Sequence, residues 1–337
     1  MSIRIHAKPF ELLLKYPFSI SGYSRKSTPL MLLELELDGL IGFGEASMVP
    51  YHGENPATAS EFLSKVKLDW LQPPFNFDEL RVYLDGLAPG NSNIKAAIDI
   101  ALHDLQGKLD NKPCYTYFGS NPEHMPLTSI TIGMDSPAVI LQKVKDAEPA
   151  HILKVKLGGD EDKRLIETIR SVCDKPLFVD ANQGWRDRTH ALEMVHWLQE
   201  QGVLLIEQPL DKSNWDDNAW ITEHSPIPIL GDESIQRLAD VDKAKGVYHG
   251  INIKLMKSAG MQEAFQMIKR ARELDLKILI GCMSETSCAT LAAAALAPLC
   301  DWADLDGPFL TKNNPFPNPK FKNGKWVLNN LPGLGVF

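Results

Sequence analysis

The chain has 337 residues, of which 44% are hydrophobic and 23% are charged, a composition typical of globular proteins. This length suits one large α/β barrel or two ordinary domains. The net charge of −8 and the absence of basic runs argue against a nucleic-acid partner. Because no apolar run reaches the roughly 18 residues that span a bilayer, we predict no membrane partner.

The cysteines and the N-terminal residues bear on the cellular compartment in which the protein is expected. Five cysteines form no CxxC pair, and Cys282 and Cys288 have no histidines at zinc-site spacing. The opening sequence MSIRIHAKPF has no apolar core of the kind that signal peptides carry. Unpaired thiols fit a reducing environment, so we predict a cytoplasmic location.

The first part of the chain predicts an α+β region. Residues 29–46 read as a strand, an Asp38-Gly39 turn and a returning strand, which together form a hairpin. The glycines Gly42 and Gly44 superficially resemble a dinucleotide fingerprint, but the turn precedes them and no helix start follows. Apolar residues at helical spacing then predict helices over 56–67, 76–86 and 93–109.

From about residue 126 the pattern changes to strands that alternate with helices. Strands are predicted at 127–133, 152–157, 177–180, 203–207, 227–232, 251–256, 277–282 and 302–306. Eight βα units at this regular spacing favour a parallel barrel of the TIM type, with an open doubly wound sheet as the alternative. A short strand near residue 326 is expected where the chain returns to the N-terminal region.

Charged residues occupy the ends of these strands, where a TIM barrel keeps its active site. Lys154 and Lys156 lie two apart, so both side chains point to one face while Leu153, Val155 and Leu157 point to the other. Carboxylates end the third, fourth and fifth strands, and a further lysine and two aspartates follow on the sixth and eighth. These residues are Asp180, Glu207, Asp232, Lys254, Asp304 and Asp306.

Three carboxylates on neighbouring strands require a cation. Two like charges 4 Å apart repel by roughly 4 kcal/mol at an effective dielectric constant near 20. Oxygen ligands without histidine or cysteine select a hard ion, so Asp180, Glu207 and Asp232 are predicted to hold Mg²⁺, with manganese as the next candidate. The structural alternative is an interior salt-bridge network, although barrel interiors usually prefer branched apolar residues.

The lysines suit proton transfer at a carbon next to a carboxylate. Strands two and six lie on opposite sides of an eight-stranded barrel, so Lys156 and Lys254 would face each other across the substrate. One lysine would remove an α-proton, the metal would stabilise the resulting enediolate, and the other lysine would return a proton to the opposite face. The charge of Lys154 would help to lower the pKa of Lys156.

At this point the sequence resembles the enolase superfamily, specifically its muconate-lactonizing subgroup. The segments that match are KVK at 154–156, VDAN at 179–182, IEQP at 206–209, GDES at 231–234 and NIKL at 252–255. The resemblance implies a modified (β/α)₇β TIM barrel over residues 123–306. It also implies an α+β capping domain over residues 1–122, completed by residues 307–337. In this subgroup the three carboxylates bind Mg²⁺ and the two lysines are the acid/base catalysts.

The resemblance also narrows the reaction. Asp304 and Asp306 are expected to share a face of the eighth strand that points inward. An Asp-x-Asp at the end of this strand is similar to the pattern of dipeptide epimerases, where it holds a free α-amino group. Some of these enzymes act on L-Ala-D/L-Glu from murein peptides. The resemblance therefore implies a small dipeptide partner and leaves a homo-oligomer open. N-acylamino acid racemase, o-succinylbenzoate synthase and a catalytically silent metal-binding barrel are the alternatives, and a helix N-cap or loop bond is the alternative role for Asp304.

Substrate side-chain selection is expected in loops of the cap, around 18–28 and 48–55, and in residues 282–287. Glutamate-selective members carry an arginine in the first loop, where this chain has Gly22 and Tyr23, with Arg25 slightly later. Arg25 either reaches an anionic substrate group or lies in solvent. Three further residues are predicted to line the substrate pocket, and three more are expected to orient the ligands or Lys254. They are Thr131, Met283 and Ser284, then Asn182, Gln208 and Glu233.

Overall fold

A computed structural model describes residues 2–20, 23–49 and 53–337, without the side chains of Ser19, Ile20 and Tyr23. Its first element is a three-stranded antiparallel sheet of β1 (Arg4–Ile20), β2 (Tyr23–Leu37) and β3 (Leu40–Ser47). Leu37 pairs with Leu40 across a two-residue turn. Asp38 and Gly39 both have positive φ in that turn, as a tight hairpin requires. The predicted hairpin is therefore confirmed.

Three helices cover this sheet within the described residues. They are α1 (Pro56–Lys65), α2 (Phe77–Leu87) and α3 (Ser92–Leu109), close to the three predicted ranges. Asn55 caps the first helix, because its side chain accepts from the N–H groups of Ala57 and Thr58. The third helix is buried along almost its whole length, since it lies between the capping sheet and the barrel.

The second sheet consists of eight parallel strands in sequential order. They are β4 (Ser129–Ile132), β5 (Ile152–Lys156), β6 (Leu177–Asp180), β7 (Val203–Glu207), β8 (Ile229–Gly231), β9 (Gly250–Lys254), β10 (Lys277–Gly281) and β11 (Trp302–Asp304). A parallel bridge between Thr128 and Ala303 brings the first and last strands together. Each strand lies inside one of the predicted segments except β9, which begins one residue earlier at Gly250, and the sheet closes into the expected barrel.

Each of the first seven barrel strands is followed by a helix, as the (β/α)₇β prediction requires. The helices are α4 (Pro137–Asp146), α5 (Asp162–Arg170), α6 (Arg188–Glu200), α7 (Trp215–His224), α8 (Leu238–Ala244), α9 (Met261–Glu273) and α10 (Ser287–Leu296). The predicted architecture is therefore confirmed. Among the described residues, no helix is both long and apolar enough to span a membrane.

Side-chain alternation divides each barrel strand between two environments. Leu153 and Val155 on β5, and Leu157 directly after it, are completely buried and pack against the surrounding helices, as predicted. The lower part of the barrel interior holds a separate apolar layer, formed by Ile152, Phe178, Leu205, Leu230 and Leu279. The charged side chains at the strand ends therefore lie above an apolar base.

The last strand is shorter than predicted. It ends at Asp304, and Asp306 lies at the start of the short helix α11 (Gly307–Leu310). Pro308 favours the first turn of a helix, where its missing N–H is not needed, so the strand stops before it. The expectation that Asp304 and Asp306 share one strand face is therefore wrong, although both residues point into the barrel.

The final segment returns to the N-terminal region, as expected. It contains a hairpin of β12 (Lys320–Lys322) and β13 (Lys325–Val327). Beyond the hairpin, the N–H of Leu334 donates to Asp104 on α3 at 2.7 Å. The ring of Phe337 lies 5.2 Å from that of Phe43 on β3.

The two glycines of the Gly-Phe-Gly segment serve packing between β3 and α3. A Cβ atom added at Gly44 would lie 2.0 Å from the carbonyl oxygen of Ala97 and 2.9 Å from the Cβ atom of Ala101. Gly42 is equally close to the carbonyl oxygen of Ala101. The helix can approach the strand this closely only because neither position carries a side chain.

A Gly44→Ala substitution tests this close approach. The added methyl group would push α3 away from β3, and we expect the free energy of unfolding to fall by about 2 kcal/mol or more. Gly86→Ala on α2 is the matched control, since nothing lies within 4 Å of an added Cβ there. We expect that variant to be unchanged or up to about 1 kcal/mol more stable. Urea denaturation measures both, and equal stability of the two variants would contradict the packing role.

Candidate active site

The upper end of the barrel encloses a cavity of about 640 Å³ between the barrel and the cap. Lys156, Lys254, Asp304 and Asp306 all line it, and so do the predicted pocket residues Arg25, Thr131, Met283 and Ser284. Asp180 and Glu207 are completely buried beneath it. The structure therefore brings together residues from six barrel strands and from the cap. The side chain of Tyr23 lies outside the described residues.

The three predicted metal ligands form one cluster. One carboxylate oxygen each from Asp180, Glu207 and Asp232 lies within 4.8 Å of the others, and all three side chains are buried. This is the one group of potential metal ligands found among the described residues. An all-oxygen cluster of this kind fits a hard divalent cation, so the donor set agrees with the sequence-based prediction of a metal site.

Lys154 lies between this cluster and the eighth strand. Its Nζ atom is 2.6 Å from Glu207, 2.8 Å from Asp304 and 3.3 Å from Asp180. Burial alone would lower the pKa of Lys154, but attraction to the surrounding carboxylates raises it well above its ordinary value. Lys154 therefore remains an ammonium group that neutralises buried carboxylates.

The two predicted catalytic lysines contact different carboxylates of the cluster. Lys156 Nζ lies 2.6 Å from Oδ2 of Asp180, and Lys254 Nζ lies 2.6 Å from Oδ2 of Asp232. The two lysines lie on β5 and β9, with three strands between them in the sheet order. Strands four positions apart face each other across an eight-stranded barrel, so the two lysines reach the cluster from opposite sides.

Two residues that the sequence-based analysis missed hold the ligands in place. The Nδ2 atom of Asn252 donates to Oε2 of Glu207 at 2.7 Å. Lys257 donates to the backbone oxygens of Asp232 and Asn252 and lies 2.6 Å from Oδ1 of Asp232. Asn252 shares the inward face with Lys254, two residues later, so strand alternation could have identified it. Lys257 follows the strand in a turn, where no periodicity applies.

The residues expected to orient the ligands do contact them or their backbone. The N–H of Asn182 donates to Oδ1 of Asp180 at 2.9 Å, and its side chain donates to Glu233 at 3.2 Å. Oε1 of Gln208 accepts from the N–H groups of Asp232 and Ser234. These bonds fix the loops that follow β6 and β8, in agreement with the expected positioning role.

Asp304 at the end of the eighth barrel strand and Asp306 just after it have different environments. Asp304 is already bound, by Lys154 and by the hydroxyl of Ser129 at 2.6 Å. Asp306 accepts from the N–H of Thr131 at 2.7 Å, and within the described part of the chain no ion pair reaches it. Burial, followed by repulsion from Asp304, raises the pKa of Asp306 to about 6. Of the two aspartates, Asp306 is therefore the one whose charge is less compensated within the described residues.

The Asp304–Asp306 segment is held by distant parts of the chain. The Nε1 atom of Trp326 on β13 donates to the carbonyl oxygen of Leu305 at 2.7 Å. The hydroxyl of Thr128 accepts from the N–H of Leu305 at 2.7 Å. Both backbone groups of the residue between the two aspartates are thus fixed, which sets the direction of the aspartate side chains.

Arg25 lies in the cavity and not in solvent. Only 8% of its surface is exposed, its Nη2 atom donates to the hydroxyl of Ser284 at 2.7 Å, and its guanidinium lies 5.1 Å from the ring centre of Phe18. The same ring lies 5.8 Å from Nζ of Lys156. Phe18 lies in a predicted selectivity loop but had not been identified as a site residue.

The loop at 282–287 is attached to the capping sheet. The hydroxyl of Ser47 donates to the carbonyl oxygen of Ser284 at 2.8 Å. Glu45 accepts from the N–H groups of Thr286 and Ala289 at 2.8 and 3.2 Å, and from the Thr286 hydroxyl. Burial raises the pKa of Glu45 to about 7, although these hydrogen bonds oppose the shift.

The family of the protein is evident from two matches. Residues 140–337 match the family described as Enolase C-terminal domain-like. Residues 4–119 match the N-terminal domain of mandelate racemase/muconate lactonizing enzyme. The chain therefore belongs to the mandelate racemase/muconate lactonizing enzyme family of the enolase superfamily, as its motifs indicated.

Individual relatives define the type of enzyme. The chain is 51% identical to the L-Ala-D/L-Glu epimerase of Bacteroides thetaiotaomicron over 329 residues, which cover 97% of this chain and 86% of the relative. A dipeptide epimerase from Enterococcus faecalis, complexed with Mg and L-Leu-L-Tyr, has a TM-score of 0.90 and 30% identity with 99% of each chain covered. The chain is accordingly an enzyme of the isomerase class, similar over nearly its whole length to dipeptide epimerases.

The fold is shared with a neighbouring activity. The N-succinyl Arg/Lys racemase from Bacillus cereus has a TM-score of 0.91 and 26% identity, with 100% of this chain and 95% of that chain covered. Fold similarity alone therefore does not distinguish dipeptides from N-acylated amino acids, and the choice depends on the residues in the cavity.

The buried Glu45 predicts a pH-dependent stability. Between about pH 4.5 and pH 7 the folded protein keeps a proton on Glu45 that an unfolded chain would release. The folded state then binds more protons, so this residue makes the protein less stable as pH rises through that range. A Glu45→Gln variant cannot titrate there. We expect its free energy of unfolding to rise relative to wild type by about 3 kcal/mol over that range.

Urea denaturation at several pH values between 4.5 and 8 measures this difference. Glu200→Gln, at an exposed position on α6, is the control and should follow the wild-type pH profile. A constant difference between Glu45→Gln and wild type across the range would show that the proton on Glu45 is not linked to folding.

Proposed function

We propose that the protein is a Mg²⁺-dependent dipeptide epimerase that inverts the α-carbon of the second residue by proton transfer between two lysines. The observation that carries the proposal is the placement of Lys156 and Lys254 on opposite sides of one carboxylate cluster. Two proton carriers on opposite faces of one carbon are what inversion through an enediolate requires. The names of the relatives support dipeptides as the substrate class.

Asp180, Glu207 and Asp232 would hold the metal. Their oxygens are close enough to share one ion, and Asn252 and Lys257 hold two of the ligands in orientation. Mg²⁺ would supply positive charge beside the substrate carboxylate and so lower the free energy needed to remove the α-proton. Manganese is the next candidate for the same oxygen set.

Lys156 and Lys254 would divide the proton transfers between them. One takes the α-proton from one face of the substrate, and the other delivers a proton to the opposite face. The roles exchange when the reaction runs from the other epimer. Lys154 stays protonated among the carboxylates, so it would keep a fixed positive charge beside the substrate throughout the reaction.

Asp306 would bind the free α-amino group of the dipeptide. Lys154 and Ser129 already bind the carboxylate of Asp304, whereas Asp306 forms no ion pair within the described part of the chain. A substrate ammonium group would restore charge balance at Asp306 through a charge-assisted hydrogen bond. Asp304 then contributes mainly by holding Lys154 and by adding negative potential.

Arg25 would bind an anionic side chain on the second residue. Its guanidinium lines the cavity beside Phe18 and Lys156, and a buried guanidinium favours a carboxylate partner. A dipeptide such as L-Ala-L-Glu would pair with a charged group at each end of the site. Its ammonium group would bind Asp306 and its side-chain carboxylate would bind Arg25. The L-Ala-D/L-Glu epimerase among the relatives supports this choice.

An N-acylamino acid racemase or o-succinylbenzoate synthase is the second candidate, because the same fold carries N-succinyl amino acid racemisation. Such substrates have no ammonium group, and a succinyl carboxylate near Asp304 and Asp306 would be repelled. A catalytically silent metal-binding barrel is the third reading, and it predicts no proton exchange with any substrate.

Deuterium exchange tests the proposed function directly. We expect the protein with Mg²⁺ in D₂O to exchange the α-proton of the second residue of L-Ala-L-Glu and to produce the L,D epimer, both visible by proton NMR. Removal of the metal with EDTA should abolish both signals. Exchange in N-succinyl amino acids without exchange in free-amino dipeptides would favour the second candidate.

The two-lysine scheme predicts that removal of one lysine abolishes epimerisation but can leave α-proton exchange intact. Lys156→Ala and Lys254→Ala should each lower epimerisation by at least about 10³-fold, because general acid–base catalysis contributes at this level. One variant should still exchange the α-proton of a single epimer with solvent. Lys163→Ala, at an exposed position on α5, should epimerise at the wild-type rate. Substantial epimerisation by either active-site variant would contradict the two-lysine scheme.

The proposed role of Arg25 predicts that the enzyme prefers dipeptides whose second residue is acidic. Arg25→Met should lower kcat/KM for L-Ala-L-Glu by about tenfold or more, since a hydrogen bond between charged groups contributes roughly 1.5–3 kcal/mol. Turnover of L-Ala-L-Met should change much less, so the ratio of the two values is the informative quantity. Arg186→Met, an exposed position, is the control. An equal loss with both dipeptides would assign Arg25 a role that is independent of substrate charge.

A further inference from the structure

A second, smaller cavity adjoins the catalytic cavity near Thr131. Its internal volume is about 70 Å³. Phe18, Thr131 and Leu310 line both cavities, so the two spaces meet at these three side chains, which form an incomplete partition. Nothing in the chemistry proposed above uses the smaller cavity.

The lining of the smaller cavity beyond the partition is mainly apolar. Leu14 from β1, Ile130 from β4 and Phe309 from α11 contribute the largest aliphatic and aromatic surfaces, and Gly133 and Ala147 leave room between them. Leu14 is 5% exposed and Ile130 is 4% exposed. An aliphatic group is therefore the chemistry that this cavity suits.

Among the polar side chains in its wall beyond the partition, Lys15 is exposed to solvent, and the other three have partners within the protein. The hydroxyl of Tyr16 donates to Asp146 at 2.6 Å. Lys143 donates to the carbonyl oxygen of Gly133 at 3.2 Å and to Asp135 at 3.1 Å. Because these bonds satisfy the charged groups locally, the cavity gains little from a polar ligand and favours an apolar one.

The position of the cavity relates it to the first residue of the substrate. Asp306, the proposed ammonium site, accepts the N–H of Thr131 at 2.7 Å, and Thr131 belongs to the partition. In a dipeptide, the side chain of the first residue starts one carbon away from the ammonium nitrogen. An ammonium group at Asp306 therefore places that side chain next to the partition.

We propose that the smaller cavity is the subsite for the side chain of the first residue, and that it makes the enzyme accept aliphatic first residues larger than alanine. This inference rests on the proposed dipeptide epimerase function. The substrate class becomes dipeptides with an aliphatic first residue and an acidic second residue.

The volume sets the size of the side chain that fits. A single water molecule needs roughly 10–15 Å³ by this measure, and a cavity of about 150 Å³ holds benzene. A cavity of about 70 Å³ is half the latter size, so it suits the three or four carbons of valine or leucine. An aromatic ring exceeds it.

A series of first residues tests the inference with the metal-loaded wild-type enzyme. The dipeptides carry alanine, 2-aminobutyrate, valine, leucine or phenylalanine before a constant L-glutamate, and deuterium exchange in D₂O gives kcat/KM. We expect kcat/KM to rise about fourfold per added methylene up to valine, which corresponds to about 0.8 kcal/mol of apolar burial. With phenylalanine it should fall at least tenfold below the valine value.

Three variants of neighbouring leucines connect this selectivity to the cavity. Leu14→Phe fills the space and should reduce the valine-to-alanine ratio of kcat/KM to one or below. Leu14→Ala enlarges it and should raise the phenylalanine-to-valine ratio by at least tenfold. Leu13→Phe is the matched control, because Leu13 is the next residue on β1 and is 41% exposed, so both ratios should stay at wild-type values.

The outcomes separate the inference from the proposed function. If L-Ala-L-Glu is epimerised but the Leu14 variants leave both ratios unchanged, the subsite assignment is wrong and the epimerase function stands. The assignment is equally wrong if wild type shows no preference among the first residues. If none of the five dipeptides exchanges, the proposed function itself fails. Should Leu14→Phe fail to fold, the response of Leu14→Ala decides.

Discussion

The structure depends on one electrostatic constraint, which is that buried carboxylates at the barrel strand ends must share the space with buried ammonium groups. Asp180, Glu207 and Asp232 are almost without exposure, and separating any one of them from its lysine would leave an uncompensated charge, which typically destabilises a protein by 3–5 kcal/mol. The apolar layer beneath them excludes water from one side. The protein can therefore accommodate these charges only at the upper end of the barrel, where they lie at the cavity beneath the cap.

The division between barrel and cap separates two tasks. The barrel strands carry the proposed acid/base and metal-binding groups, which sit on rigid elements with little freedom to move. The cap contributes Phe18 and Arg25, which face the substrate space, and Glu45, which ties the loop at 282–287 to the capping sheet. Selectivity can consequently change through the cap while the chemistry of the strand ends stays constant. This arrangement agrees with a family whose members share the fold and differ in substrate.

The sequence predicted the barrel well because strand alternation and the regular βα spacing are local signals. Lys154 and the strand-end carboxylates follow directly from that periodicity, and Asn252 could have been found by the same rule. Lys257 could not, since it lies in a turn where side-chain direction has no period. Asp306 was placed on a strand because the helix that starts after it is very short. Contacts such as that of Glu45 with the loop at 282–287 join residues more than 200 positions apart, and no local pattern records them.

The bond from Trp326 to the carbonyl oxygen of Leu305 has a consequence for which parts of the chain the cavity depends on. Thr128, Ser129 and Lys154 hold the segment with Asp304 and Asp306 from within the barrel, and Trp326 adds a bond from the C-terminal hairpin. The carboxylate cluster has its partners on barrel strands and their loops, whereas the proposed amine-binding end also relies on residues beyond the barrel. A chain shortened before Trp326 would therefore keep every partner of the cluster and lose one of the two backbone bonds that fix Leu305.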